Sequence, residues 1–292
     1  MPIDYALLTD LYEITMAQGY RDSGHENTEA CFHMYFRDTP FKGGYAIACG
    51  MAQLADMVDT YAFSGEDIDY LSKIPAPGGG ALFAADFLEW LRDFKLTVDI
   101  DAVPEGQVVF PNEPLVRVKG PIMQCQLLEA ALLNCVNFQT LIATKAARVC
   151  LAAQDAPVAE FGLRRAQGPD AGLYGARAAL IAGCGSTSNV LAGKMFDVPV
   201  AESLDLKKAA KAVGEKSIEM LHQKELLPLT GYVHGGCSPV GMKKLFPTVF
   251  HSSVENLPTV IVSAGKIGYQ VEVKPADLMG LVRAETADII VE

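Results

Sequence analysis

Apolar and polar positions alternate along this chain with two periods, and the period changes several times. In LLTDLYEITMAQGY, Leu11, Ile14, Thr15 and Gln18 recur at helical spacing, so a helix is expected, with Thr9 as its N-cap and Gly19 as its stop. ACFHMYF, residues 30–36, alternates and is rich in aromatics, as a strand does. Asp38 to Gly44 is a turn around Pro40. Helices are expected near 50–62 and 82–94, with PGGG at 77–80 read as a plain flexible turn, since it lacks the Lys-Ser/Thr of a phosphate loop. Residues 96–122 carry short apolar alternations broken by Pro104-Glu105-Gly106 and Pro111-Asn112, the pattern of a small antiparallel unit. A long helix follows over roughly 124–153, with Asn134, Asn137, Thr140 and Thr144 on its polar positions.

From there the order is VAEFG as a buried strand, RRAQGPD as a loop, AGLYGARAALIAG as a helix, STSN as a turn, VLAGKMF as a helix and DVPV as a strand. This βαβα alternation belongs to a parallel sheet or barrel, of which about two units are present, against the eight strands of a closed β/α barrel. After residue 201 the pattern becomes β-rich. LDLKKAAKAVG reads as a helix ended by Gly214, SIEM as strand-like, HQKELLPLTGY as a helix and turn, and VHGGCSPVG as a glycine loop. PTVFH, TVIVSAG and GYQVEV read as strands. Pro275 opens a last helix and ADIIV a last strand. The expected fold class is therefore α/β followed by α+β.

The 292 residues, half of them hydrophobic, suffice for one or two cores. No run of about eighteen apolar residues predicts a membrane span. MPIDYALLTDLYE has no basic segment before its apolar positions and does not read as a signal peptide. A cytoplasmic protein is expected. The net charge of −11 argues against broad non-specific binding to nucleic acid. Seven cysteines, odd in number and without CxxC spacing, read as buried thiols, and five histidines without paired spacing support no metal site.

The candidate chemistry of the first part is FGLRRAQGPD. Arg164 and Arg165 follow a strand, where α/β proteins place ligands, and each offers a planar fork of donors suited to a carboxylate or phosphate. Adjacent residues on a strand point to opposite faces. Turning both inward needs irregular backbone, which Gly162 and Gly168 would supply; otherwise the two are surface arginines.

LLTDLYEITMAQGY, CFHMYFRDTPFKGGYAIACG, EGQVVFPNEPLVRVKGP, LLNCVNFQTLIATKAARV, EFGLRRAQGPD and STSNVLAGKMF together resemble nicotinate phosphoribosyltransferase over residues 1–199. The resemblance implies a type II phosphoribosyltransferase layout, truncated here to an N-terminal α/β domain (1–125) and a partial β/α barrel (126–199). It implies transfer of ribose 5-phosphate from phosphoribosyl pyrophosphate (PRPP) to nicotinate in NAD salvage. Mg2+, ATP hydrolysis and a homodimer with shared sites come with it. Under it Arg164 and Arg165 hold the nicotinate carboxylate or a phosphate, and Phe36 and Arg37 line the same mouth. Tyr12 stacks on the pyridine ring, from the neighbouring subunit; read without the family, it is equally a core aromatic. In that family the strand matching DVPV leads into a Gly-Thr-x-Ala-His-Ser-Trp-type motif whose histidine is phosphorylated. Here AESLDLKK follows Val200, and none of the five histidines matches.

From VPVAESLDLKKAAKAVGEKSIEM onward, through LTGYVHGGCSPVGMKKLFPTVF, TVIVSAGKIGYQVEV and PADLMGLVRAETADI, the chain resembles the Cys-tRNA(Pro) deacylase (YbaK-like) family. That implies a partial editing domain over 200–292, hydrolysis of a misacylated tRNA ester, and tRNA as a partner. Its pocket would be formed by Gly235, Gly236, Ser238, Pro239 and Gly241 on one wall and Ser263, Gly265 and Lys266 on the other. Lys243, Lys244 and Lys266 would touch phosphates. Cys237 is either a nucleophile or a small loop residue. MFDVPVAESLDLKK, residues 195–208, is thus where one likeness gives way to the other. A chimera with neither complete site is the third expectation.

Overall fold

The structure is a computed structural model that describes residues 4–154, 156–201 and 204–290. The chain divides into two compact units, Met1–Val200 and Ala201–Glu292.

In the first unit, strand β1 (Glu29–Met34), β2 (Asp99–Ala102) and β3 (Val116–Pro121) form an antiparallel sheet with β3 in the middle. Its register separates two faces. Ala30, Phe32, Met34, Val116 and Val118 turn inward, while Cys31, His33, Arg117 and Lys119 turn to solvent. That is the period-two separation that a sheet with one wet face requires. Helices α1 (Leu11–Asp22), α2 (Met51–Thr60), α3 (Gly65–Leu71) and α4 (Ala85–Arg92) close this core with Ile14, Met57, Leu71, Phe87 and Leu91, none more than 3% exposed. Tyr61, Phe63 and Phe94 meet with ring centroids 5.8–6.1 Å apart, in the tilted and edge-on arrangements that aromatic quadrupoles favour.

The cap of α1 differs from the expected one. Asp10 occupies the N-cap position, and the Thr9 hydroxyl instead donates to the buried Glu13 carboxylate. Gly19 lies inside the helix, which runs on to Asp22. Helix α3 was not expected, although Ser64 and Asp67 form a reciprocal capping box at its start.

The long helical stretch is two helices, α5 (Ile122–Leu127) and α6 (Glu129–Ala153), broken at Leu128. Thr140 and Thr144 are buried rather than solvated. Their hydroxyls accept from Cys49 N (3.2 Å) and Ile47 N (2.9 Å), tying the segment before α2 to α6. Helix α7 (Pro169–Ile181) packs along α6 through small residues such as Ala143, Ala178 and Ala179. Beneath it, β4 (Ala159–Glu160) and β5 (Ser186–Thr187) run parallel, and Val200 continues the same pattern as a single parallel bridge to Thr187. Two expectations change here. VAEFG is a strand of two residues with Ala159 exposed and Glu160 half-buried, not the buried strand expected. STSN holds a strand, because Thr187 is fully buried with its hydroxyl donating to Glu160 Oε2 at 2.7 Å. Asn189 then caps α8 (Val190–Phe196) by accepting from Ala192 N at 3.2 Å.

The second unit begins with α9 (Leu206–Ala212), capped by Asp205, which accepts from Lys207 N and Lys208 N. Gly214 ends it with φ 74°. After α10 (Gln223–Thr230), β6 (Val249–His251) pairs in parallel with β9 (Glu285–Ala287), and β7 (Val260–Ser263) pairs antiparallel with β8 (Gln270–Val273). Helix α11 (Pro275–Val282) buries Leu278 and Val282, and Val254 and Ile289 are buried as well. SIEM forms no strand; Met220 is 79% exposed and nothing pairs with that segment among the described residues. The last strand lies at 285–287, ahead of most of ADIIV, whose Val291 falls outside the described residues, as do Glu202 and Ser203 of AESLDLKK. Among the described residues no helix is long and apolar enough to cross a membrane. The fold is α/β followed by α+β.

Candidate functional sites

The 162–168 segment bends because its backbone is held at both ends. Gly162 N donates to Glu160 Oε1, and a Cβ on Gly162 would stand only 2.6 Å from that oxygen. Leu163–Arg165 then forms one 3-10 turn, with Arg165 N donating to Gly162 O at 2.7 Å. Gly168, at φ 109°, leads into Pro169 at the start of α7. The turn separates the two arginines. Arg165 lines a cleft of about 470 Å3 with Phe41, Phe138, Leu163 and Glu160, whereas Arg164 does not line it. Neither do Tyr12, Phe36 and Arg37: Tyr12 stands 49% exposed on α1, Phe36 packs on the main core, and Arg37 is exposed.

One wall of this cleft, Phe41, is held by two cations that the sequence did not single out. Phe41, a cleft wall, has φ 58°, a left-handed conformation that costs a non-glycine residue about 1–3 kcal/mol unless its surroundings hold it. Arg148 donates to its carbonyl at 3.0 Å, and the Lys145 ammonium sits 4.1 Å from its ring centroid. Both cations come from α6, one turn apart, and FRDTPFKGG carries no local signal for such a distant clamp. Glu160 is the opposing charge, but its oxygens already serve Gly162 N and the Thr187 hydroxyl.

Sequence reading also missed a half-buried ion pair. Arg177 meets Glu105 with both nitrogens, at 2.6 and 2.9 Å, and both side chains are under 20% exposed. Glu105 Oε1 also accepts from Gly50 N (2.7 Å) and Met51 N (3.0 Å) at the start of α2. Burial pushes the Glu105 carboxyl up, but the bonds from Arg177 and Gly50 and the guanidinium charge outweigh it and hold it at about 2. Beyond Arg177 the network continues through Gln139, whose amide donates to Gln53 Oε1 at 2.7 Å, and Gln53 donates to the Tyr5 hydroxyl at 3.2 Å.

In the second unit, the GGCSPVG and SAGK loops meet. A Cβ on Gly236 would lie 3.2 Å from Ile267 N and 3.4 Å from the Lys266 carbonyl carbon, so a side chain there would press on the SAGK backbone by a few tenths of an ångström. Tyr232 wedges between Gly241 and Gly265, with its hydroxyl donating to Val240 O. Ser238 is buried, its hydroxyl accepting from Val240 N at 3.2 Å, and Pro239 is half-buried beside it. Ser263 accepts from Gly265 N at 3.3 Å, Gly235 takes φ 85° in the loop, and Lys266 lies 4.8 Å from the Tyr269 ring centroid. Lys243 donates to Leu227 O at 3.3 Å, and Lys244 is exposed. Cys237 is exposed, as is Cys31, so two of the seven thiols expected to be buried are at the surface. A Cβ on Gly265 would fall 2.8 Å from the Tyr232 ring at φ 85°. Gly265→Ala is therefore expected to destabilise the second unit by about 2 kcal/mol, measured as a fall in its urea midpoint.

Comparison with known proteins divides the chain in the same region. The family described as nicotinate phosphoribosyltransferase (NAPRTase) N-terminal domain matches residues 7–137, and the aminoacyl-tRNA editing domain matches residues 195–281. The nicotinate phosphoribosyltransferase of Caenorhabditis elegans is 44% identical over 195 residues, 66% of this chain and 34% of that protein. The nicotinate phosphoribosyltransferase of Bacillus subtilis (strain 168) is 44% identical over 196 residues, 67% of this chain and 39% of that protein. The crystal structure of human nicotinic acid phosphoribosyltransferase superposes with TM-score 0.62 at 38% identity, covering 70% of this chain and 40% of that one. The chain thus spans between a third and two fifths of the length of these relatives. It joins a segment that resembles the N-terminal part of nicotinate phosphoribosyltransferase to a segment that resembles the aminoacyl-tRNA editing domain.

Proposed function

We propose that the first unit is a nicotinate phosphoribosyltransferase-like ligand-binding module that takes nicotinate at the Arg165 cleft. The observation that carries this reading is the cleft itself. Arg165 stands beside an aromatic and aliphatic wall of Phe138 and Leu163, with Phe41 clamped by Lys145 and Arg148. A planar ring with a carboxylate suits a guanidinium fork set against an apolar wall. PRPP, a polyanion, suits the same charge. In phosphoribosyl transfer these residues would orient the ring nitrogen and offset developing charge.

The chain by itself does not complete that reaction in this reading. Among the described residues no group of three or more His, Cys, Asp or Glu converges as a metal site. No histidine lines the cleft. Glu160, the one carboxylate among the residues lining the cleft, is already taken up by Gly162 N and the Thr187 hydroxyl, so the cleft residues do not fit the Mg2+ that the family implies. Purified chain given nicotinate and PRPP is expected to bind nicotinate in a calorimetric titration and to release no nicotinate mononucleotide. Arg165→Ala should weaken nicotinate about tenfold or more, the loss of one charge-assisted contact. Product formed at enzymatic rates and lost on Arg165→Ala would refute the non-catalytic part. Tyr12, exposed on α1 and away from the cleft, would act from a second copy in a homodimer.

A second reading, ester hydrolysis on Cys-tRNA(Pro) by the second unit, is favoured by the contact between the two glycine loops at Gly236. Release of free cysteine from that tRNA, lost on Gly236→Val, would support it.

A further inference from the structure

We infer that Cys150 and Cys184 are an oxidative modification site that closes to a disulfide. Their sulfur atoms lie 3.9 Å apart, while the residues come from α6 and from the loop after α7. The approach is built by the backbone. Gly183 takes φ 110°, with Gly183 N donating to Leu180 O and Cys184 N to Ala179 O, both at 3.0 Å. This folds the end of α7 back so that Gly183 passes 3.6 Å from the Cys150 Cβ and Sγ, measured from where its own Cβ would stand. Ala146, Ala179 and Val158 pack around the pair and leave the sulfurs facing each other. The bond would close a loop that contains β4, the Arg164–Arg165 turn and α7.

The two thiols have different access. Cys150 is half-buried and Cys184 is buried. Burial, and the neighbouring Cys150, push the Cys184 thiol up to about 12, with the Glu160 charge acting in the same direction. The geometry therefore sets an order, with hydrogen peroxide as the oxidant. Cys150 sulfur attacks one peroxide oxygen, the O–O bond breaks, and Cys150 becomes a sulfenic acid as one water leaves. Cys184 sulfur then displaces the sulfenic oxygen, which departs as a second water carrying the Cys184 proton, and the S–S bond forms. Each sulfur loses one electron overall, and the peroxide takes both. Because the second thiol is held protonated, the closure should be slow at neutral pH and faster in mild alkali.

The test is a tryptic peptide map of the full chain, run without reductant after exposure to hydrogen peroxide. A linked peptide pair carrying Cys150 and Cys184, released by dithiothreitol, is expected. The oxidised chain should melt about 5–10 °C above the reduced one, since the bond restricts the unfolded chain. Cys150→Ser should abolish both effects, and Cys31→Ser should leave both unchanged. Cys150 found as sulfinic acid with Cys184 free would overturn the inference, as would links between Cys31 or Cys237 of different molecules with none at Cys150. The peptide map on the unaltered chain gives its answer even where a variant fails to fold.

Discussion

Arg177→Ala is expected to lower the unfolding free energy of the first unit by about 3–5 kcal/mol and its melting midpoint by on the order of 10 °C. The reason is what the substitution leaves behind. Glu105 stays under 20% exposed with its charge uncompensated, and an unpaired buried carboxylate costs more than the pair itself contributes. Glu105→Ala should cost at least as much, because Gly50 N and Met51 N lose their acceptor as well. The pair also sets an acid limit. Glu105 titrates at about 2 folded against an ordinary 4.5. A depressed carboxyl contributes stability that is present above the unfolded value and disappears as pH falls through the folded one. That contribution, about 3 kcal/mol, is lost between pH 4.5 and 2. Urea titrations across that window should show the loss in the wild-type chain and a much flatter profile in Arg177→Ala.

Gly50→Ala is the second large effect. Gly50 holds φ 105° at the start of α2, and a Cβ there would lie 2.6 Å from Cys135 O and 2.9 Å from Val136 Cα. Both obstacles are backbone of α6, so neither rotates away. Left-handed strain and forced separation together should cost about 3–5 kcal/mol. Any shift would also pull Gly50 N off Glu105. Gly79→Ala is the control. Its φ is 87°, but nothing lies within 4 Å of a Cβ there, so only the conformational cost of about 1–2 kcal/mol remains. Equal urea midpoints for the two variants would sink the argument that close packing on α6, and not backbone conformation alone, requires glycine at position 50.

These two sites show which features the sequence displayed and which it hid. Periodicity was enough for α2, α4, α7 and α8, because each buries one stripe of side chains. Polarity misled on α6. Thr140 and Thr144 look like a solvated face, yet a hydroxyl that meets a backbone amide across the core is satisfied without water. Glu105 was visible only as a turn residue in Pro104-Glu105-Gly106, since its partner lies 72 positions later and no local pattern links them. STSN hid a strand for a related reason: Thr187 can be buried because Glu160 accepts its hydroxyl proton. SIEM showed the reverse, an alternation that pairs with no strand among the described residues. At the candidate site, the double arginine was legible as charge. Which of the two enters the cleft depends on one 3-10 turn, and the cations that hold Phe41 come from a helix more than a hundred residues later, whose pattern gives no sign of that contact.

The most direct test of the ligand-binding claim is a crystal structure of the full chain grown with nicotinate. The expected result places the pyridine ring against Phe138 and Leu163, with its carboxylate on the Arg165 guanidinium. Nicotinate bound elsewhere, for example in the cavity between Tyr5 and Tyr174, or absent at saturating concentration, would contradict it.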